Sequence, residues 1–244
     1  MADLLNDFSN VSQYLSGIKL ESNLILLYKK QNLVRYRNDV LVDACRNKKV
    51  LHIGCCDHAA LVGEKIKRGQ WLHSQLTSVA EEAIGIDIDA EAICKVRSMS
   101  GLDNVFCGDI TKKDPIAQLR GKRFDVAVFG EVVEHIGNPV HFLAEFVSNY
   151  GDNCSEIIIT VPNAFRAGNI RNIFSHREVI NSDHRFFFTP YTITKIAVDA
   201  RIKPLKIEMA SFTEKRSVAK RVVLTAWPLL AENIIFTGAL GRQG

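Results

Sequence analysis

Glu131-Val132-Val133-Glu134-His135 sets two carboxylates and an imidazole in one short run. Positions i, i+3 and i+4 of a helical turn share a face, so Glu131, Glu134 and His135 can converge. Such a set suits a divalent cation of the Mg²⁺ or Mn²⁺ kind. A second imidazole would complete it, and His184 in Ser182-Asp183-His184-Arg185-Phe186-Phe187-Phe188 supplies one. The same residues also support metal-free chemistry, with His135 as a general base or merely shaping a pocket. Arg166, Arg171, Arg177 and Arg185 crowd the second half of this region. They either receive an anionic ligand or form a solvated surface.

These groups must be held by regular elements, and the chain changes character at Lys49 to provide them. Apolar runs of strand length, Val50–Ile53, Ala83–Ile88, Asn104–Cys107, Phe124–Phe129 and Glu156–Val161, alternate with helical stretches near 57–68, 89–99, 115–120, 139–150 and 189–201. Continuous apolar strands between helices imply an α/β fold with a mainly parallel, doubly wound sheet. Asp89 is placed to cap one helix that ends near Gly101, and Asn138-Pro139 and Thr189-Pro190 each set a capping side chain before a proline. Two later runs, Leu205–Met209 and Asn233–Leu240, can add an antiparallel edge. Between them lies a basic stretch with Lys215, Arg216, Lys220 and Arg221. Residues 1–46 read as a helical extension and 47–244 as one α/β domain.

In an open α/β sheet, ligands bind beyond the carboxyl ends of the strands. Gly54 follows the first strand and permits a tight turn there. Asp87 and Ile88 close the second, where a carboxylate can accept from two ribose hydroxyls. Asp109 and Ile110 follow the third, an acid beside an apolar wall for an adenine ring. Gly130 and Glu131 follow the fourth. A nicotinamide-dependent oxidoreductase would use G-x-G-x-x-G after the first strand. Here Cys56 and His58 stand in place of the further glycines, so the pyrophosphate cradle is missing and a cofactor without phosphate is favoured.

The succession VLHIGC, EAIGIDID, NVFCGDI and FDVAVFGEVVEHI resembles the ordered motifs of class I S-adenosylmethionine-dependent methyltransferases over about residues 49–210. The resemblance implies a Rossmann-like, seven-stranded sheet. It sets Gly54 at the methionine part of the cofactor, Asp87 at the ribose, Asp109 and Ile110 at the adenine, and the Gly130 backbone alongside. His52 departs from the pattern, standing where the family has an acidic residue. Roughly thirty residues separate Gly54 from Asp87, where about twenty are usual. The surplus at 67–77 is expected to form an insertion, whose Trp71 either lines an acceptor pocket or anchors the loop. The E-x-x-E-H run, Pro162-Asn163 and Asp183-His184 with its aromatics are similar to the small-RNA 3′-terminal 2′-O-methyltransferases. Ubiquinone-biosynthesis O-methyltransferases share the metal-binding character. The expected activity is O-methylation of a hydroxylated small molecule or saccharide, with His135 and Glu131 catalytic. An RNA 3′ end is the alternative acceptor, and an inactive methyltransferase-like partner subunit the alternative of another class.

Bulk properties narrow the setting. A formal net charge of +4 over 244 residues permits an anionic partner but lacks the dense basic stripe of a strong nucleic-acid binder. No apolar run reaches the roughly 18 residues of a membrane span. The six cysteines show no CxxC pairing and no signal-peptide pattern is read, so reduced thiols in a cytoplasmic protein are expected.

Overall fold

The computed structural model describes residues 8–28, 30–31, 33–57, 59–112, 116–212 and 218–241. Its strands are β1 Arg35–Tyr36, β2 Lys49–Ile53, β3 Glu82–Asp87, β4 Val105–Cys107, β5 Phe124–Gly130, β6 Cys154–Pro162, β7 Lys203–Ser211 and β8 Asn233–Ala239. The helices are α1 Ser12–Leu15, α2 Arg37–Cys45, α3 Ala59–Lys67, α4 Leu72–Thr77, α5 Ala90–Ser100, α6 Pro139–Tyr150, α7 Ala167–Phe174, α8 Pro190–Asp199 and α9 Val218–Ala226.

All strands join one sheet in the order β1-β7-β8-β6-β5-β2-β3-β4. Every pairing is parallel except those of β8, which runs antiparallel to both β6 and β7. The late antiparallel element is thus an inserted strand and not an edge pair. Strand order reverses at β2, which lies between β3 and β5, and this opens the ligand crevice of a doubly wound sheet. Ile53 lies level with both Ile86 and Phe129, and Gly130 with Thr160. This register gathers the loops after β2, β3, β5 and β6 at one end.

Burial on both faces explains the unbroken apolar runs. Leu51, Ala127 and Phe129 face one layer with Leu143, Phe146 and Ile193 from α6 and α8. Val50, Val126 and Val128 face the other, covered by Leu41 of α2 and Leu72 and Leu76 of α4. The anticipated caps are in place. Asp89 accepts from the Ala92 N–H at 3.0 Å, Asn138 from His141 at 3.1 Å and Thr189 from Thr192 at 3.1 Å. Gly101 ends α5 with φ +73°.

Three expectations are corrected. Among the described residues the sheet has eight strands, the addition being the two-residue β1. Residues 1–46 are not helical throughout, since among the described residues only α1 and α2 are. The exposed edge of β7 offers unpaired backbone groups, and this segment satisfies them instead of coiling. The Gln31 amide donates to Met209 O and accepts from Met209 N, each at 3.0 Å, and β1 pairs alongside. The helix foreseen at 115–120 is only a 3₁₀ turn, Ala117–Leu119. Helices α4, α7 and α9 were not foreseen. Trp71, at the head of α4, is buried and donates its indole N–H to Cys55 O at 2.8 Å, so it anchors the loop. All six cysteines are free, and among the described residues no helix is long and apolar enough to cross a membrane.

The packing of α6 on β5 rests on Phe129, whose ring meets Phe146 edge-on at 4.9 Å and Phe142 at 5.9 Å. Phe146→Ala should therefore lower unfolding free energy by about 3–5 kcal/mol in urea titrations. Phe174→Ala, at a side chain 82% exposed, should change it by under about 0.5 kcal/mol.

Candidate active site

A cavity of about 600 Å³ occupies the switch-point end of the sheet. Gly54, Asp87, Ile88, Asp109, Ile110, Gly130, Glu131, His135 and His184 all border it. Of the residues expected to bind cofactor or cation or to act in catalysis, Glu134 alone is absent from its lining, being fully buried behind the wall. His58 lies outside the described residues, as do Lys215 and Arg216.

At the β3 side, Asp87 closes its strand with each oxygen held by one backbone donor. Oδ2 accepts from Cys56 N at 2.8 Å and Oδ1 from Asp89 N at 3.1 Å. Burial raises its pKa, against these bonds. A carboxylate so fixed keeps lone pairs on both oxygens for two neighbouring hydroxyls. Asp109 Oδ1 accepts from the Thr111 hydroxyl at 2.6 Å and from the Thr111 N–H at 3.0 Å, and the hydroxyl chiefly holds its pKa below the usual range. Ile110 is buried in the main core, whereas Ile88 is 73% exposed at the rim. Cys55, Cys56 and Asp87 bring ligand atoms within 4.8 Å of one another, at the place the resemblance gives to the ribose.

Gly54 adopts φ +66°, and a Cβ there would stand 2.4 Å from Val132 Cγ2. The glycine is required because the loops after β2 and β5 touch. A Cβ on Gly130 would come within 3.1 Å of Leu72 Cδ2.

After β5 the chain does not continue as one α-helical turn. Glu131 takes φ +61°, a costly conformation for a residue with a side chain, and a 3₁₀ turn runs over Val133–His135. The four expected cation ligands are thereby divided. Glu134, His135 and His184 bring ligand atoms within 4.8 Å of one another. Glu131 instead accepts from Asn233 Nδ2 at 2.9 Å and the Thr160 hydroxyl at 3.0 Å, and pairs with Arg37 at 3.4 Å.

Both Glu134 carboxylate oxygens are buried without a hydrogen bond among the described residues. The nearest cationic candidate, His184 Nε2, is 3.9 Å away. Burial, reinforced by the neighbouring Glu131 charge, pushes the Glu134 pKa up to about 9. His135 Nδ1 lies 2.9 Å from Asp183 Oδ2, and the His135 and His184 rings meet edge-to-face at 4.7 Å. Arg185 is spent on this loop, its N–H on Glu134 O at 2.8 Å and its guanidinium on His135 O. Of the four clustered arginines, Arg166 borders the cavity, lying over the Phe187 ring at 5.8 Å.

Sequence reasoning missed Arg37, His73, Thr160 and Asn233 as parts of this machinery. Asp183 was noted beside His184 but given no role of its own. The four missed residues come from remote segments and carry no signal.

Residues 69–148 match the family model described as a methyltransferase domain. The whole fold agrees with solved methyltransferases. Magnesium protoporphyrin IX methyltransferase from Synechocystis PCC 6803, with bound SAH, aligns with TM-score 0.53 and 13% identity over 84% of this chain and 82% of its own. The chain has the fold of the class I S-adenosylmethionine-dependent methyltransferases. It is also similar to an S-adenosylmethionine-dependent methyltransferase from Aquifex aeolicus, with TM-score 0.52 and 15% identity over 84% of this chain and 90% of that one. The methyltransferase domain of bacterial CtHen1 gives TM-score 0.51 and 18% identity over 84% and 97%. No curated protein sequence matches the chain.

The buried imidazoles give the protein an acid-sensitive flank. Burial pulls His73 down from 6.5 to about 4. Between these values the unfolded chain binds a proton that the folded chain refuses. Stability from the neutral ring is thus complete above pH 6.5 and is lost as pH falls to 4, about 3 kcal/mol in all. Urea unfolding free energy should fall more steeply across this window for the wild type than for His73→Gln.

Proposed function

We propose that the protein transfers a methyl group from S-adenosylmethionine to a hydroxyl of a small molecule or saccharide, with a divalent cation at Glu134, His135 and His184. The observation that carries this reading is the Glu134 carboxylate, buried and unbonded, with one nitrogen of each of two imidazoles within 4.8 Å at the cavity wall. A carboxylate in that setting must be protonated or meet a cation. Two imidazoles beside it favour Mg²⁺, Mn²⁺ or a related ion.

S-adenosylmethionine, when bound, supplies an already activated methyl on its sulfonium. Asp87 would hold the ribose hydroxyls, with Ile88 at the rim beside it. Asp109 and Ile110 would hold the adenine, and the Gly54 and Gly130 backbones the middle of the cofactor. A cation bound beside them would lower the pKa of an acceptor hydroxyl. The protein's own part is orientation. Asp183 fixes the His135 ring, Arg185 ties the segment bearing His184 to the Glu134–His135 loop, and the enclosing wall limits water. Glu131, drawn off by Asn233 and Thr160, serves this reading as a brace for the loop, with Arg37 balancing its charge.

A second reading has its own observation. The His135–Asp183 pair at 2.9 Å is also a base with its orienting acid, suited to removing the acceptor proton without metal. For the acceptor, Arg166 over Phe187 at the cavity edge favours an RNA 3′ end as the second choice. A similar solved structure, that of small RNA methyltransferase HEN1, is consistent with that choice.

The domain division is placed at residue 46, and the N-terminal segment contributes Arg37 to the cavity and β1 to the sheet.

Calorimetry should show binding of S-adenosylhomocysteine and not NAD, weakened at least roughly 30-fold by Asp87→Ala. Binding of neither ligand would favour an inactive module. Turnover on hydroxylated acceptors should be abolished by EDTA and restored by Mg²⁺ or Mn²⁺. Glu134→Ala and His184→Ala should each cost roughly 100-fold or more. EDTA-insensitive turnover that collapses in Asp183→Asn would select the metal-free base instead.

A further inference from the structure

His52 and His73 form a buried pair beneath the cavity. Their Nδ1 atoms are 3.3 Å apart and their rings stack at 5.4 Å. Burial holds both imidazoles neutral, so each ring has one donor nitrogen and one acceptor. Which is which follows from Asn104. Its Nδ2 donates to Ala83 O at 2.9 Å and to the Thr77 hydroxyl at 3.1 Å. A carbonyl only accepts, so the amide nitrogen must stand there and Oδ1 must point the other way. Asn104 Oδ1 lies beside the His73 ring, and neither it nor His73 Nε2 closes a hydrogen bond of ordinary geometry with any described residue. An acceptor oxygen there calls for a proton on His73 Nε2. His73 Nδ1 is then the acceptor, His52 Nδ1–H the donor, and His52 Nε2 is left with a lone pair.

That lone pair is on the cavity side. His52 borders the cavity, and its Nε2 lies 3.6 Å from where a Cβ on Gly130 would stand. Arg37 borders the same end and is more than nine-tenths buried. Its Nε and Nη2 are spent on Asn38 Oδ1, and its guanidinium lies over the Phe212 ring at 5.0 Å. Its Nη1 has no hydrogen bond among the described residues, only the Glu131 carboxylate at 3.4 Å. An acceptor without a proton beside a guanidinium with an uncommitted N–H complements an α-amino acid zwitterion. The ammonium meets the imidazole and the carboxylate meets the guanidinium.

We infer that Asn104 and His73 fix His52 as a hydrogen-bond acceptor, and that His52 with Arg37 binds the amino-acid end of the cofactor. This rests on reading the cavity as the S-adenosylmethionine site, with Asp87 at its other end. It gives His52 a positive role where an acidic residue would otherwise bring a buried charge.

Two measurements on the intact protein test it. The first compares S-adenosylhomocysteine with 5′-methylthioadenosine, which has the nucleoside but no amino-acid group. His52→Leu and Arg37→Met should each weaken S-adenosylhomocysteine binding roughly 10- to 100-fold and leave 5′-methylthioadenosine binding unchanged. Equal loss of both ligands would overturn the assignment. A wild type that binds neither would reject the cofactor site itself, a separate failure. The second is the ¹⁵N spectrum of the ligand-free imidazoles, which needs no variant. His52 should carry its proton on Nδ1 and His73 on Nε2, and the opposite tautomers would contradict the inference.

Discussion

Removing a carboxylate from water without a partner costs several kcal/mol, and Glu134 is held in that condition at the wall of the cavity. The structure around it reads as the means of sustaining it. The unusual backbone at Glu131 turns the chain so that Glu134 points inward and not along a helix face. Thr160 from β6 and Asn233 from β8 fix Glu131 close by, and its charge adds to the cost of ionising Glu134. Arg185 secures the carbonyls of Glu134 and His135, which brings His184 against the same group. Neutralisation by a proton or by a cation is then the chemical choice left to the site.

The sheet makes this arrangement reachable. Parallel register sets the ends of β2, β3, β5 and β6 level, and the reversal of order at β2 opens space between two of them. The loops after β2 and β5 are in contact through Gly54 and Val132, at a distance no side chain on Gly54 would allow. The two loops are thus one packed unit. Beneath them, Trp71 ties the α4 insertion to Cys55, and α4 carries His73 to its place under His52.

Much of this was legible in the sequence. Asp87, Asp109 and Gly130 follow apolar runs of strand length, and a parallel sheet must bring such positions together. The helix caps were legible because capping is local chemistry between neighbours. Glu131 shows where the reading stopped. Its spacing to Glu134 and His135 fits a helical turn, but tertiary bonds to Asn233 and Thr160 outweigh that local preference. Arg37 was invisible for a related reason. It lies in a segment read as helix throughout, and only the demand of the β7 edge for a partner brings that segment alongside the cavity. The role of His52 could not be read either, since it depends on His73 and on the amide orientation of Asn104, far along the chain.

The central claim is that one cavity joins a cofactor anchored at Asp87 to a cation held at Glu134, His135 and His184. A crystal grown with S-adenosylhomocysteine and Mn²⁺ tests it most directly, through the anomalous signal of the metal. The account predicts a single strong peak among those three side chains, with the ribose hydroxyls on Asp87. Ordered cofactor with no peak there, or a ribose bound away from Asp87, would contradict it.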